Sequence, residues 1–179
     1  QMCIRDRDYI FITHAHQDHV LDVEKIAEKS KATIVSNFEI TNYYEKLGYN
    51  VHPMNHGGKC EFDFGLAKYV NAIHTSSFAN GEYGGNPGGF IIKSNNKCIY
   101  IAGDTALTYD MKLIPLEFNL DLAVLPIGDN FTMGADAGSI VGCGHVSMIR
   151  LRQRCKHKSV SNQMDITTRV SGHFSPRSL

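Results

Sequence analysis

Thr13-His14-Ala15-His16-Gln17-Asp18-His19 packs three imidazoles and a carboxylate into the last six of its seven residues. The run directly before it, Asp8–Thr13, is apolar and rich in β-formers, and it reads as a short buried strand. In extended backbone, side chains two apart point the same way. His14 and His16 can therefore grip one cation together, while Asp18 and His19, where the chain turns into a helix, can face a second position. Helix capping has no use for three histidines, and at this composition the pattern arises by chance in roughly one chain in a thousand. A chain of this kind has to place that cluster on the rim of a rigid scaffold.

The scaffold is legible in outline. Val20, Val23, Ile26 and Ala27 recur at helical spacing, which predicts a helix over Val20–Ser30 with Asp18 near its cap. Strands are expected at Ala32–Ser36 and Asn50–Met54, with a helix over Phe38–Leu47 ended by Gly48. This αβαβ alternation implies parallel strands covered by helices. After Asn55-His56-Gly57-Gly58 the texture becomes that of strands: Cys60–Phe64, Leu66–Ile73, Gly89–Lys93 and Lys97–Ala102, the last two joined by an Asn95-Asn96 turn. A Gly/Asn-rich loop fills 76–88. Tyr109–Phe118 and Gly134–Val141 read as helices, and Leu120–Ile127 as a buried strand.

Bulk properties narrow the class. The chain has 179 residues, enough for one domain with a real core. Hydrophobic residues form 42%, which excludes a disordered chain. Lys+Arg and Asp+Glu are both 18, so no nucleic-acid or anionic-membrane partner is expected. The charge is uneven: seven basic residues lie between Arg150 and Arg177 against Asp165 alone, leaving residues 1–148 with 11 basic and 17 acidic side chains. Five scattered cysteines without a CxxC pair read as free thiols, and no apolar run approaches membrane-spanning length. The expectation is a cytoplasmic protein acting on a small molecule, with homo-oligomerisation left open.

Two further residues complete a ligand set. His74 follows the Leu66–Ile73 strand, and Asp104 follows Lys97–Ala102 in Gly103-Asp104-Thr105. Both are polar residues at strand ends, where sites are held over a sheet. Gly128–Gly134, a polar Gly-flanked loop after a buried strand, is expected to line the substrate pocket, with Asn130 and Thr132 as donors. His56 reads as a surface-loop residue and His52 as structural.

With these residues the chain resembles the metallo-β-lactamase superfamily, whose signature is HxHxDH followed by a distant His, a distant Asp and a last His. The likeness extends to small metal-dependent hydrolases related to ascorbate-6-phosphate lactonase. His74-Thr75-Ser76-Ser77, Ile101-Ala102-Gly103-Asp104-Thr105 and Pro126-Ile127-Gly128-Asp129-Asn130-Phe131-Thr132-Met133-Gly134 carry it. The resemblance covers about residues 8–145. It implies an α+β, four-layer αββα sandwich with two divalent ions, zinc first and manganese or iron as alternatives. In that reading His14, His16 and His74 hold the first ion, Asp18 and His19 the second, and Asp104 bridges them. Asp18 is the catalytic residue, orienting a metal-bridged hydroxide and managing its proton. The substrate would be a small-molecule ester, lactone, thioester or phosphoester.

The pattern is also broken. Only about seven residues precede the strand that leads into the motif, where the family has further strands, so the N-terminal half of the sandwich is expected to be incomplete. The family's last histidine falls near Met148, Ile149 and Arg150, and His145 stands too early to replace it. The expected division is a non-family arm at 1–7, a partial hydrolase domain at 8–148, and a basic, disordered tail at 149–179. Two competing readings follow: a metal-dependent nuclease of the same fold, disfavoured by the acidic body, and an inactive metal-binding fragment.

Overall fold

The computed structural model describes residues 7–137 and, as backbone, the strands Ser147–Leu151 and Ile166–Thr167. The first half forms a small parallel sheet. Strands β1 (Tyr9–Phe11), β2 (Thr33–Asn37) and β3 (Val51–Met54) lie in the order β1-β2-β3. Helix α1 (Gln17–Val20), α2 (Val23–Ser30) and α3 (Phe38–Lys46) make the crossovers. Asn37 caps α3 by accepting from the Ile40 N–H at 2.9 Å, and Gly48, at φ +88°, ends it in the left-handed region that glycine tolerates.

The second half forms a seven-stranded sheet in the order β10-β9-β8-β7-β6-β5-β4. Its strands are β4 (Lys59–Phe62), β5 (Gly65–Asn71), β6 (Gly88–Ser94), β7 (Lys97–Ile101), β8 (Leu122–Pro126), β9 (Ser147–Leu151) and β10 (Ile166–Thr167). β4 to β7 run antiparallel, while β7, β8 and β9 are parallel neighbours. Asn95 and Asn96 close the β6–β7 hairpin with φ of 47° and 62°, the two positive values that a two-residue turn of matching twist requires.

The period-two pattern of the strands sorts the core into three layers. In β2, Ile34 joins Val23, Ala27, Ile40 and Tyr44 beneath α2 and α3, while its neighbour Val35 packs with Tyr69 and Phe90 between the sheets. In β6, Phe90 faces that inter-sheet layer, and Ile91 turns the other way to join Tyr100, Met111, Ile114 and Leu125 under α4 (Ile114–Glu117). Helices, small sheet, large sheet and helix thus stack as αββα, as the family resemblance implies. Leu125 is fully buried, so Leu125→Ala should cost about 2–5 kcal/mol, read from the urea midpoint at unchanged slope.

The structure corrects four expectations. Asp18 does not cap the long helix: it lies inside α1, whose cap position is His16, and α2 starts a turn later after Asp22. Tyr109–Phe118 is not one helix but a 3₁₀ turn, Tyr109–Lys112, followed by α4. Pro115 has no N–H to bond back to the preceding turn, so it can only sit where a helix begins. The predicted boundary after residue 148 cuts through β9, which hydrogen-bonds along β8. Residues 149–151 and 166–167 are therefore strand rather than disordered tail. Residues 135–137 are helical, and the rest of the Gly134–Val141 helix lies outside the described residues, as does His145. Among the described residues, no helix is long and apolar enough to cross a membrane, and Cys60 and Cys98 are free thiols.

Candidate metal centre

Every residue of the histidine motif is placed by the small sheet's end. Ile12 donates to Val35 O at 3.0 Å, extending the β1–β2 ladder. Ser36 Oγ donates to Ile12 O at 2.7 Å. Thr13 O accepts from Gly88 N at 3.0 Å and from the Tyr69 hydroxyl at 3.1 Å. Ala15 N donates to Ser76 Oγ at 3.1 Å. Three bonds to the large sheet and its loops thus hold the motif's backbone before any side chain is considered. Tyr69, Ser76 and Gly88 carry no signal in the sequence, because their contacts span tens of residues. The serine directly after the His74-Thr75 pair is the nearest to a readable hint.

The structure brings together five of the six proposed ligands. His14, His16 and His74 form one group and His14, His19 and Asp104 another, with ligand atoms inside each group all within 4.8 Å of one another. Ring centroids stand 4.6 Å apart for His14 and His16, 4.9 Å for His16 and His74, and 4.0 Å for His14 and His19. Asp104 Oδ2 lies 3.5 Å from His19 Nε2 and 3.9 Å from His74 Nε2. Asp18 reaches only the flank of the cluster, its Oδ2 at 3.6 Å from His19 Nε2.

Electrostatics prepare these groups for cations. His14 is fully buried. Burial, reinforced by the neighbouring imidazoles, drops its pKa to about 3, so its lone pair is free at neutral pH. Burial also lowers His74. For His19, burial pulls the pKa down, but the hydrogen bond and charge of Asp104, with Asp18, outweigh it and raise it. Burial alone would raise the Asp104 carboxyl. The hydrogen bond from His19 and the surrounding imidazoles lower it instead, keeping the group ionised.

This donor set fits divalent metal ions. His14 Nε2 and His16 Nδ1 face each other at 3.1 Å. Two nitrogens bound at about 2.0–2.1 Å to one tetrahedral ion would stand at nearly that separation. Only Nε2 of His14 is turned inward, since its Nδ1 meets Thr13 Oγ1 at 3.1 Å, and one nitrogen serves one cation. With His16 and His74, His14 completes a group of three imidazoles. The other keeps His19 and Asp104, with Asp18 beside them.

The loop expected to line a pocket leans on the same centre. Met133 N donates to Thr105 O at 3.0 Å, next to Asp104. Asp129 and Asn130 take positive φ of 62° and 52°, and Asn130 is exposed. Thr132 is turned into its own loop, where its hydroxyl accepts from Gly128 N at 3.1 Å. His56 Nε2 donates to Pro87 O at 2.9 Å, and the His52 ring meets Phe62 edge-on. Neither joins the cluster. A cavity of about 210 Å³ lies apart from the centre, under α4, and its polar lining is self-paired: Lys68 with Glu117, Asn71 with Asp110.

The chain is similar to proteins described as metal-dependent hydrolases. A family model described as a β-lactamase superfamily domain matches residues 3–164. A metal-dependent hydrolase of Flavobacterium johnsoniae is 70% identical over 129 residues, covering 72% of this chain and 57% of the relative. One from Christiangramia forsetii is 63% identical over 146 residues, covering 76% and 65%. The chain thus spans less than two thirds of the length of either. Among solved structures, the metallo hydrolase Igni18 from Ignicoccus hospitalis matches with a TM-score of 0.68 at 31% identity, over 75% of this chain and 57% of that one.

Proposed function

The chain belongs to the β-lactamase superfamily, and from that premise we propose that it is a metal-dependent hydrolase of a small-molecule ester, lactone, thioester or phosphoester. The observation that carries this reading is the convergence of four imidazoles and Asp104 from three separate loops into two adjoining ligand groups. Divalent ions held there, zinc first, would lower the pKa of a water and polarise the scissile carbonyl or phosphoryl oxygen.

The chain's own residues divide the remaining work. His14, His16 and His74 hold the first position, and His19 and Asp104 the second. Neutral His14 and His74 offer lone pairs without first shedding protons, and ionised Asp104 offsets the positive charge. Asp18, at the rim beside His19, is placed to take the proton of an attacking water at its carboxylate. Asn130, exposed on the loop bonded to Thr105, supplies a donor for the substrate's polar end. Thr132 shapes that loop rather than touching substrate. The excess of acid in residues 1–148 favours a neutral small molecule over a polyanion.

A panel of nitrophenyl esters and phosphodiesters, assayed with added zinc or manganese, tests the reading. Turnover of at least one ester should appear with metal, vanish on chelation and return on reloading. Cleavage of single-stranded RNA alone, or metal uptake well under one ion per chain, would overturn it.

A further inference from the structure

Two threonine hydroxyls flank the histidine motif and neither belongs to the ligand set. Thr13 Oγ1 lies 3.1 Å from His14 Nδ1, and Thr75 Oγ1 lies 3.2 Å from His16 Nε2. Between these outer contacts, His14 Nε2 and His16 Nδ1 face each other at 3.1 Å. The two rings are therefore presented in opposite senses. His14 offers Nε2 to the centre, and His16 offers Nδ1.

A neutral imidazole has one N–H and one lone pair, and a hydrogen bond at one nitrogen decides which nitrogen keeps the lone pair. A ligand histidine is useful only when the lone pair points at the cation, so its outer partner sets both tautomer and ring orientation. Backbone geometry alone cannot impose opposite tautomers on two rings two residues apart. A hydroxyl behind each ring can support them, because a threonine oxygen within reach of the outer nitrogen can accept its N–H.

We propose that Thr13 and Thr75 are positioning residues that hold His14 as the Nδ1–H tautomer and His16 as the Nε2–H tautomer, leaving the facing nitrogens free for metal. The proposal rests on the metal-centre reading. Thr75 has a second consequence. It directly follows His74, so its bond to His16 ties the loop bearing the third imidazole to the loop bearing the first two, across 59 residues of sequence.

The test uses Thr13→Val and Thr75→Val, which keep the shape and remove the hydroxyl, with Thr13→Ser and Thr75→Ser as the restoring changes. Metal affinity is measured by chelator competition with zinc, and the imidazole tautomers by nitrogen-15 NMR of the zinc-loaded chain. With zinc bound, the unaltered protein should carry its N–H on Nδ1 at His14 and on Nε2 at His16. Each valine variant should bind zinc roughly 10- to 100-fold more weakly and blur the signature of its own histidine, while each serine variant stays within a few-fold. The proposal falls if the valine variants bind as tightly as the unaltered chain, if serine loses as much as valine, or if both rings carry the same tautomer. Should the unaltered chain take up no zinc, the metal-centre reading fails by itself, and nitrogen-15 NMR of the metal-free chain decides the clamp: unchanged His14 and His16 signals in the valine variants would overturn it.

Discussion

His14→Ala should empty the metal centre, while His16→Ala and His19→Ala should each leave part of it. His14 is the one residue common to both ligand groups. Without it the first group keeps only His16 and His74, and the His19–Asp104 pair loses the imidazole that can complete it. Two donors rarely hold a divalent ion against bulk water, because bound ions in proteins take three or four protein ligands. Metal content should therefore fall below one ion per chain, and hydrolysis by at least ~100-fold, beyond what loss of an outer hydrogen-bond partner costs. His16→Ala leaves the His14, His19 and Asp104 group intact, so it should retain ion uptake that His14→Ala does not. Elemental analysis of the three purified variants reads this directly, with near-UV circular dichroism confirming that each has folded. Full ion content in His14→Ala would show that the centre is organised around other side chains.

The comparison of sequence with structure separates two kinds of information. The parallel β1-β2-β3 half was readable because its signals are local. Asn37 caps α3, Gly48 ends it, and the alternation of Ile34 and Val35 assigns them to opposite faces. The expected Tyr109–Phe118 helix breaks at Pro115, whose missing N–H outranks any continuity of the segment. Asp18 lies inside α1 rather than at a cap, and a four-residue turn is too brief to show a period of its own. In the candidate centre, the chemistry-bearing types were legible: imidazoles and carboxylates at strand ends stand out against their surroundings. Their support was not. Ser76 reaching Ala15, Tyr69 reaching Thr13 and Asn37 reaching Gly84 join positions 61, 56 and 47 residues apart, and nothing in any local window marks them. Thr132 shows the same limit from the other side, since its hydroxyl was expected to face substrate and instead closes its own turn.

The second large effect is expected at a residue with no side chain. Adding one methyl at Gly84 should disrupt the centre more than the same change at Gly81, three positions away. A Cβ on Gly84 would stand 2.3 Å from Ala15 Cβ and 2.6 Å from Ser76 Oγ, whereas a Cβ on Gly81 meets nothing within 4 Å. Neither neighbour of Gly84 can yield cheaply. Ala15 is fully buried between the two ligand histidines, and Ser76 Oγ is committed to Ala15 N at 3.1 Å and Gly84 O at 2.9 Å. Gly84 itself is held from behind by Asn37 Nδ2 on its carbonyl at 2.8 Å. The strain must therefore pass into the backbone between His14 and His16. Gly84→Ala should cost about 1–3 kcal/mol of stability through overpacking. If the loop shifts by about 1 Å, hydrolysis should drop about 100-fold through misplaced ligands. Gly81→Ala carries only the strain of its left-handed φ of +87°, so it should lose about 1 kcal/mol and keep its metal affinity. Urea unfolding and zinc titration of the two variants side by side measure both halves. Equal metal affinity in Gly84→Ala and the unaltered chain would mean that the glycine loop does not buttress the histidine motif.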